Sequence, residues 1–201
     1  PPRSTLFPYT TLFRSEKVWR LVVGDSGIAW AKAAGKLLAM KRPVDKVIID
    51  FSEVRPGGKP LRGFGWISSG DEQISEAFVE IAKILNRKAG QLLNRMDILD
   101  VMNWLGTSLS SRRSAEIALV PAEDPEAEAF AYAKKDYWMT GNKQRGQSNN
   151  SLVFYHKPTK RELRGLFSQM LDAGGSEPGF INGAAARERA PWFRGVNPCA
   201  K

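Results

Sequence analysis

The residues best suited to chemistry stand near the C-terminal end, where Asn197, Pro198 and Cys199 follow one another. Cys199 is the only cysteine of the 201-residue chain. Pro198 fixes its own φ angle and disfavours a helical conformation at Asn197, so the segment is predicted to be stiff and extended or turned. Such a segment can hold a thiol at the tip of a loop. The alternative is a disordered terminus with an incidental cysteine.

Residues 54–65 could bind an anion. They combine three cations with four glycines, and Arg55 and Arg62 are two of those cations. Arginine and lysine bind phosphate, and glycine lets a backbone approach a ligand closely. The segment is not a P-loop, because no Gly-Lys-Ser/Thr sequence directly follows a strand. Its composition leaves a nucleotide site and a solvated basic loop equally open.

Two shorter polar segments carry similar chemistry. Arg112 and Arg113 stand among serine residues and could hold a phosphate or a base, or could face water. Asp25 and Ser26 follow a glycine at a predicted strand-to-helix turn. By themselves these two residues form an ordinary helix N-cap.

Strand and helix patterns alternate from residue 17 onward. The predicted strands cover residues 18–23, 46–51, 114–120 and 151–155. The predicted helices begin after 25–26, at 69–72, at 97, at 124 and at 159–162. This alternation indicates an α/β fold with a largely parallel sheet. In such folds the chemistry lies in loops at the carboxyl ends of the strands, where most of the polar segments above are expected.

The local patterns make more specific predictions. Capping boxes are expected at 69–72 and at 159–162. The helix that begins at 159–162 is expected to end near Gly174. The strand at 46–51 has a nearly continuous apolar centre, which predicts burial on both faces. The helix from 97 to 105 is expected to bury one apolar face, formed by Ile98, Val101, Met102 and Leu105.

Composition limits the class of protein. With 42% apolar residues, the chain can bury one ordinary core, so a single domain is the default. The net charge of +9 favours anionic partners such as nucleic acid, phosphates or nucleotides. One cysteine excludes an internal disulfide framework and a cysteine-based zinc site. No apolar run reaches the ~20 residues needed to span a membrane, and a cytoplasmic location is expected.

The first fifteen residues are expected to be foreign to the fold. Residues 5–15 look like the translation of a common sequencing adapter joined to the reading frame. They have no positively charged region followed by an unbroken apolar core, so they make a poor signal peptide. Residues 1–15 are therefore set aside as artefactual, and residues 16–201 are taken as a partial domain truncated at both ends.

The remaining motifs resemble, in order and spacing, the large catalytic subunit of ribonucleotide reductase, most closely its adenosylcobalamin-dependent class. The resemblance runs from about Val22 to Cys199. It is carried by Gly24-Asp25-Ser26, residues 54–65, Arg112-Arg113-Ser114-Ala115-Glu116-Ile117, Ser148-Asn149-Asn150-Ser151 and Gly195-Val196-Asn197-Pro198-Cys199.

The resemblance implies a fold and a mechanism. The family's barrel has ten strands, and this chain would be its N-terminal half, ending at the cysteine of the central finger loop. Cys199 would become a thiyl radical with adenosylcobalamin as the radical source, and would take the 3′-hydrogen of a ribonucleotide before the 2′-hydroxyl leaves as water. Asn197 would hydrogen-bond the substrate hydroxyls, since its amide offers a donor and an acceptor.

The resemblance also implies partners. The substrate would be a ribonucleoside triphosphate or diphosphate, and a thioredoxin-type protein would supply reducing equivalents. A deoxynucleoside triphosphate effector would bind at the segment matching Asp25 and Ser26, with Arg55 and Arg62 as further nucleotide-binding residues. The loop of Arg112 and Arg113 would carry effector identity to the substrate site, as a coupling free energy between two sites.

One position departs from the family pattern. The family has a glutamate two residues after its radical cysteine, whereas this chain has Lys201 there. A lysine cannot relay protons at a similar pKa without a large shift. The second half of the barrel and the family's reducing cysteine pair also do not appear in the sequence. The chain by itself is therefore expected to be inactive.

Two other functions are compatible with parts of the sequence. Residues 137–150 are polar and basic, and four cations around Tyr137 and Trp138 could form a stacking surface for single-stranded nucleic acid. Those cations are Lys134, Lys135, Lys143 and Arg145. A hydrolase could pair Cys199 with the only histidine, His156, but no orienting partner is evident.

Overall fold

A computed structural model describes residues 16–40, 43–62, 66–108 and 116–197. The chain divides into two compact units, residues 1–54 and 55–201. The predicted artefactual segment, residues 1–15, lies outside the described residues. Within the described ranges, no helix has both the length and the apolar character needed to cross a bilayer.

The first unit is a strand–helix–strand motif. Strand β1 (Val18–Val22) and strand β2 (Lys46–Asp50) are parallel, with Val18 opposite Lys46 and Val22 opposite Asp50. Helix α1 (Gly27–Ala39) connects them and buries Ala33, Ala34 and Leu37. Both strands and the helix were predicted, and they are confirmed. The predicted burial of β2 on both faces is wrong at Ile48, whose side chain is 41% exposed.

The second unit begins with a hairpin inside the segment predicted as a loop. Strand β3 (Pro60–Leu61) pairs antiparallel with strand β4 (Trp66–Ile67). Helix α2 (Glu72–Arg87) follows with Asp71 at its N-cap, and no side chain caps it. The predicted capping box at 69–72 is therefore wrong, because a helix that begins at residue 72 leaves Ser69 two residues ahead of the N-cap.

Helix α3 (Arg95–Thr107) was predicted at nearly the right place, and its predicted buried face is correct only in part. Val101 is buried as predicted, but Ile98 and Met102 are 43% and 50% exposed. The other buried positions are Asp97, Leu99, Asp100, Asn103, Trp104 and Gly106. The apolar spacing misled the prediction because polar residues of α3 are buried against charged partners, as described below.

The rest of the second unit is built on three parallel strands in the order β5–β6–β7. The strands are β5 (Glu116–Pro121), β6 (Ser148–Phe154) and β7 (Gly179–Asn182). The helices are α4 (Ala127–Ala131), α5 (Lys160–Ala173) and α6 (Gly183–Arg189), with a 3-10 turn at Lys143–Gln147. β6 begins three residues earlier than predicted, and neither β7 nor α6 was predicted.

Helix α5 shows what local sequence rules capture. Thr159 accepts from the backbone N–H of Glu162, and the Glu162 carboxylate accepts from the Thr159 backbone N–H, so the predicted capping box is confirmed. The helix ends at Gly174, whose φ of 64° lies in the left-handed region that glycine adopts without strain.

The two faces of the β5–β7 sheet have different neighbours. Val120, Leu152 and Phe154 pack with Leu99 of α3 and Phe130 of α4, so this face is the helix-covered one. Residues that alternate with them, Leu119 and Val153, point to the opposite side, which we call the second face. Mixed α/β structure with parallel strands is thus confirmed, while the ten-stranded barrel stays a prediction.

Candidate functional site

The C-terminal segment contacts the second face of the β5–β7 sheet at Gly195. After α6, the chain is irregular from 190 to 197. A Cβ atom built on Gly195 would lie 3.3 Å from Cδ1 of Leu119, so this part of the segment lies against β5. Asn197 is exposed two residues farther along. Cys199 and Lys201 lie outside the described residues.

Helix α6 directly precedes the C-terminal segment and packs against the end of β6. The side chain of Asn182 caps the helix by accepting from the backbone N–H of Ala185 at 2.9 Å. A Cβ built on Gly183 would lie 2.5 Å from Cγ1 of Val153 and 2.7 Å from the Tyr155 ring. Glycine is therefore required at this position for the start of α6 to approach the end of β6.

Asp25 and Ser26 lie at the carboxyl end of β1, as predicted. The Ser26 hydroxyl accepts from the backbone N–H of Ala29 at 3.1 Å, which makes it the N-cap of α1. Arg20 of β1 forms an ion pair with Asp50, the last residue of β2. Hydrogen bonds from Ser52, followed by the one from Arg20, lower the pKa of Asp50 to about 2. The anionic side chain next to this turn is therefore fully charged at neutral pH.

The glycine-rich segment forms a folded hairpin in which the two predicted arginines flank β3. Arg55 donates from Nη1 to the carbonyl oxygen of Pro60 at 3.0 Å, and Arg62 is exposed. The backbones of Gly57 and Gly70 touch, since a Cβ on Gly70 would lie 3.0 Å from the Gly57 nitrogen. Close packing within the hairpin therefore accounts for part of its glycine content.

The predicted site residues that the structure describes belong to different elements. Asp25 and Ser26 share one turn of the first unit, and Arg55 and Arg62 share one hairpin of the second. Asn197 ends the described C-terminal segment. Arg112 and Arg113 lie outside the described residues. The roles assigned to all eight predicted residues, Cys199 included, stay predictions.

The Ser148–Ser151 motif forms the buried start of β6. Ser148 Oγ donates to Oδ1 of Asn150 at 2.8 Å, and both side chains are almost fully buried. Lys134 donates to the Ser148 carbonyl oxygen and pairs with Glu177 at 3.0 Å. These bonds pair buried polar groups at the start of β6, in the three residues that precede the predicted strand.

His156 lies in a three-residue cluster that sequence reasoning missed. Its Nδ1 is 2.6 Å from Oε1 of Glu123, in the loop after β5, and its Nε2 is 3.1 Å from Oε1 of Glu162 in α5. The hydrogen bond with Glu123, followed by that with Glu162, raises the pKa of His156. Both ring nitrogens contact carboxylates, so neither is left to act as a base toward a thiol.

A cavity of about 410 Å³ lies between α3 and β5. Its walls include the exposed α3 residues Ile98 and Met102, and Glu116 stands at the start of β5. Burial raises the pKa of Glu116 to about 7. This carboxyl can therefore hold or release a proton near neutral pH. The sequence did not predict the burial of this carboxyl, because that burial depends on how α3 packs against β5.

The four cations of the alternative nucleic-acid surface are engaged in ion pairs. Lys135 pairs with Asp172, and Lys143 pairs with Glu76 at 2.7 Å. Arg145 makes a bidentate pair with Asp100, with both distances 2.7 Å. Lys134 pairs with Glu177 as described above. Cations whose charge is already neutralised are poor phosphate contacts, so the nucleic-acid interpretation is not favoured.

The comparisons with known proteins agree with the parallel α/β architecture. No protein-family model matches the chain. The crystal structure of a B12-dependent (class II) ribonucleotide reductase is similar to it, with a TM-score of 0.59 and 27% sequence identity. The match covers 68% of this chain and 19% of that chain. The class that the fold resembles is thus class II ribonucleotide reductase.

Curated relatives narrow the resemblance. The adenosylcobalamin-dependent ribonucleoside-triphosphate reductase of Lacticaseibacillus paracasei is 31% identical over 170 residues, covering 78% of this chain and 22% of the relative. The Lactobacillus acidophilus enzyme of that name is 31% identical over 183 residues, covering 87% and 24%. The Levilactobacillus brevis enzyme is 38% identical over 111 residues, covering 54% and 14%.

The chain is therefore a homologue of part of the adenosylcobalamin-dependent ribonucleoside-triphosphate reductases, which confirms the resemblance inferred from its motifs. It spans about a fifth of the length of the relatives it matches.

Proposed function

We propose that this chain is a segment of an enzyme that reduces ribonucleotides to 2′-deoxyribonucleotides. Its homologues bear the name of ribonucleoside-triphosphate reductases, and ribonucleoside triphosphates are accordingly the favoured substrates. Cys199 would act as a thiyl radical that takes the 3′-hydrogen of the substrate. Asn197 would bind the substrate hydroxyls through its amide.

The single observation that supports this proposal most strongly is the path of the C-terminal segment. After α6 the chain reaches the β5–β7 sheet at Gly195, which lies against Leu119 of β5. A loop that lies against a sheet can hold a reactive cysteine in a fixed position, as radical chemistry requires.

Adenosylcobalamin, the cofactor named for the homologues, would supply the initiating radical when bound. The described residues do not fit the role of cobalt ligands. Both nitrogens of His156 already contact carboxylates, so this histidine is not placed as a cobalt ligand.

The effector, a deoxynucleoside triphosphate, would bind at Asp25 and Ser26, at the carboxyl end of β1. Arg55 and Arg62 of the hairpin are proposed separately as nucleotide-binding residues, since arginine binds phosphate. Arg112 and Arg113 would relay effector identity. A thioredoxin-type protein would return the enzyme to its reduced state.

The test uses the complete reductase that contains this segment. Cys199→Ser is expected to abolish reduction of a ribonucleoside triphosphate in the presence of adenosylcobalamin and a dithiol, because serine forms no comparable radical. Asn197→Ala is expected to lower kcat by ~10²-fold or more through lost substrate positioning. Ser176→Ala, at an exposed loop position, is the control and should leave activity unchanged. Full activity of Cys199→Ser would overturn the proposal.

A further inference from the structure

The end of β6 and helix α6 are joined by one specific side-chain pair. The guanidinium carbon of Arg187 lies 4.0 Å from the centroid of the Tyr155 ring. Nη2 of the same arginine donates to the Tyr155 hydroxyl at 3.1 Å. The pair therefore combines a cation–π contact with a hydrogen bond from a charged donor, and two interactions fix the orientation of α6 better than one.

Arg187 lies in α6, the helix that directly precedes the C-terminal segment. Gly183, at the start of α6, lies against Val153 and Tyr155, and Arg187 is one helical turn farther along. The helix is only seven residues long, and it buries only Gly183. So short a helix has little intrinsic stability, because it closes few backbone hydrogen bonds after a costly first turn. Its direction must therefore come from contacts such as this pair.

The direction of α6 determines where the following residues go. The chain leaves α6 at Ala190, whose backbone N–H donates to the Ala186 carbonyl at 2.9 Å. Phe193 then donates to the Ala190 carbonyl at 2.8 Å, which turns the chain toward Leu119 of β5. An error in the orientation of α6 would be carried to Gly195 and beyond.

We propose that Arg187 and Tyr155 are positioning residues that hold the C-terminal segment on the second face of the β5–β7 sheet. They act through the orientation of α6. That this placement serves Cys199 in catalysis rests on the proposed function. The contact between Arg187 and Tyr155, which we call the clamp, belongs to the 201-residue chain and can be tested without substrate or cofactor.

The test is hydrogen exchange in the full chain, followed by mass spectrometry over residues 184–195. Arg187→Met keeps the aliphatic stem but removes both interactions, and exchange in this region should accelerate about tenfold. Arg187→Lys keeps a cation near the ring and should restore most of the protection. Tyr155→Phe keeps the ring and loses one hydrogen bond, so its effect should be about threefold.

The matched control is Arg189→Met, which makes the same change in charge and volume on the same helix. Exposed Arg189 should tolerate it, with exchange within about twofold of the wild-type rate. A nitroxide on Cys199, the only thiol of the chain, gives a second readout. Its electron paramagnetic resonance spectrum should show greater mobility in Arg187→Met than in Arg189→Met.

Two results would overturn the inference. Equal exchange in Arg187→Met and Arg189→Met would show that the pair does not hold the segment. Acceleration that extends equally through β5, β6 and β7 would show that Arg187 stabilises the unit generally and does not position its C-terminal segment. Because neither measurement depends on turnover, the clamp can stand if the reductase test fails, and can fail if the reductase test succeeds.

Discussion

Single residues decide how closely the elements of the second unit approach each other, and Gly183 is the clearest case. A methyl group at this position would lie 2.5 Å from Cγ1 of Val153 and 2.7 Å from the Tyr155 ring. Both neighbours belong to β6 or its immediate end, so neither can move without disturbing the sheet. The glycine therefore has a steric role that its φ angle does not reveal.

We expect Gly183→Ala to lower the free energy of unfolding by about 1–3 kcal/mol, because overpacking forces shifts in a close-packed neighbourhood. The control is Gly165→Ala, in α5, where no atom lies within 4 Å of the added Cβ. That variant should raise stability by up to about 1 kcal/mol, since alanine favours helix. Urea denaturation of both variants measures the difference, and equal values would contradict the steric argument.

Among the elements, α3 is held to its neighbours by buried charge. Asp100 accepts two hydrogen bonds from Arg145 in the 3-10 turn and one from Gln144 at 2.9 Å. At the start of the helix, Asp97 pairs with Lys88 at 2.9 Å. These partners explain why the polar face of α3 is buried and two of its apolar residues are exposed.

Arg145→Met should lower the free energy of unfolding by about 3–5 kcal/mol, because it leaves the Asp100 carboxylate buried without its counter-ion. Lys143→Met, in the same 3-10 turn, is the matched control. Its ion pair with Glu76 is exposed on both sides and should contribute at most about 1 kcal/mol. Comparable losses in the two variants, measured by chemical denaturation, would refute the role assigned to the Asp100 pair.

At the scale of the whole molecule, the His156 cluster makes stability depend on pH. The histidine joins the loop after β5 to the start of α5 through Glu123 and Glu162. Its pKa is raised in the folded chain, so the protonated form stabilises the fold. That contribution is fully present below the unfolded pKa of ~6.5 and is lost as the pH rises through the folded pKa.

Because His156 is the only histidine, its NMR titration is unambiguous. We expect a midpoint above ~6.5 in the chain and a lower midpoint in Glu123→Gln. Glu128→Gln, at an exposed position of α4, should leave the midpoint unchanged. A titration midpoint of His156 that does not change in Glu123→Gln would mean that the Glu123 carboxylate does not stabilise the protonated imidazole.

The sequence predicted correctly those features that depend on residues close together in the chain. Short-range capping identified the Thr159–Glu162 box and the end of α5 at Gly174, because both depend on neighbours within a few residues. Apolar periodicity located α1, α2 and the two strands of the first unit. It also located α3 but was wrong on part of its buried face, because burial there depends on Lys88 and Arg145, which lie outside the helix. β7 was missed because four residues give too short a pattern.

For the candidate site, too, local features could be predicted from the sequence and long-range contacts could not. The sequence by itself determined that one thiol follows an Asn-Pro dipeptide and that the motifs are those of a ribonucleotide reductase, since residue types and spacing are written in the chain. Only the tertiary structure placed Gly195 on the second face of the sheet and brought Arg187 onto Tyr155, 32 positions away in the sequence. Such contacts depend on how strands align and helices pack, and no local pattern specifies them.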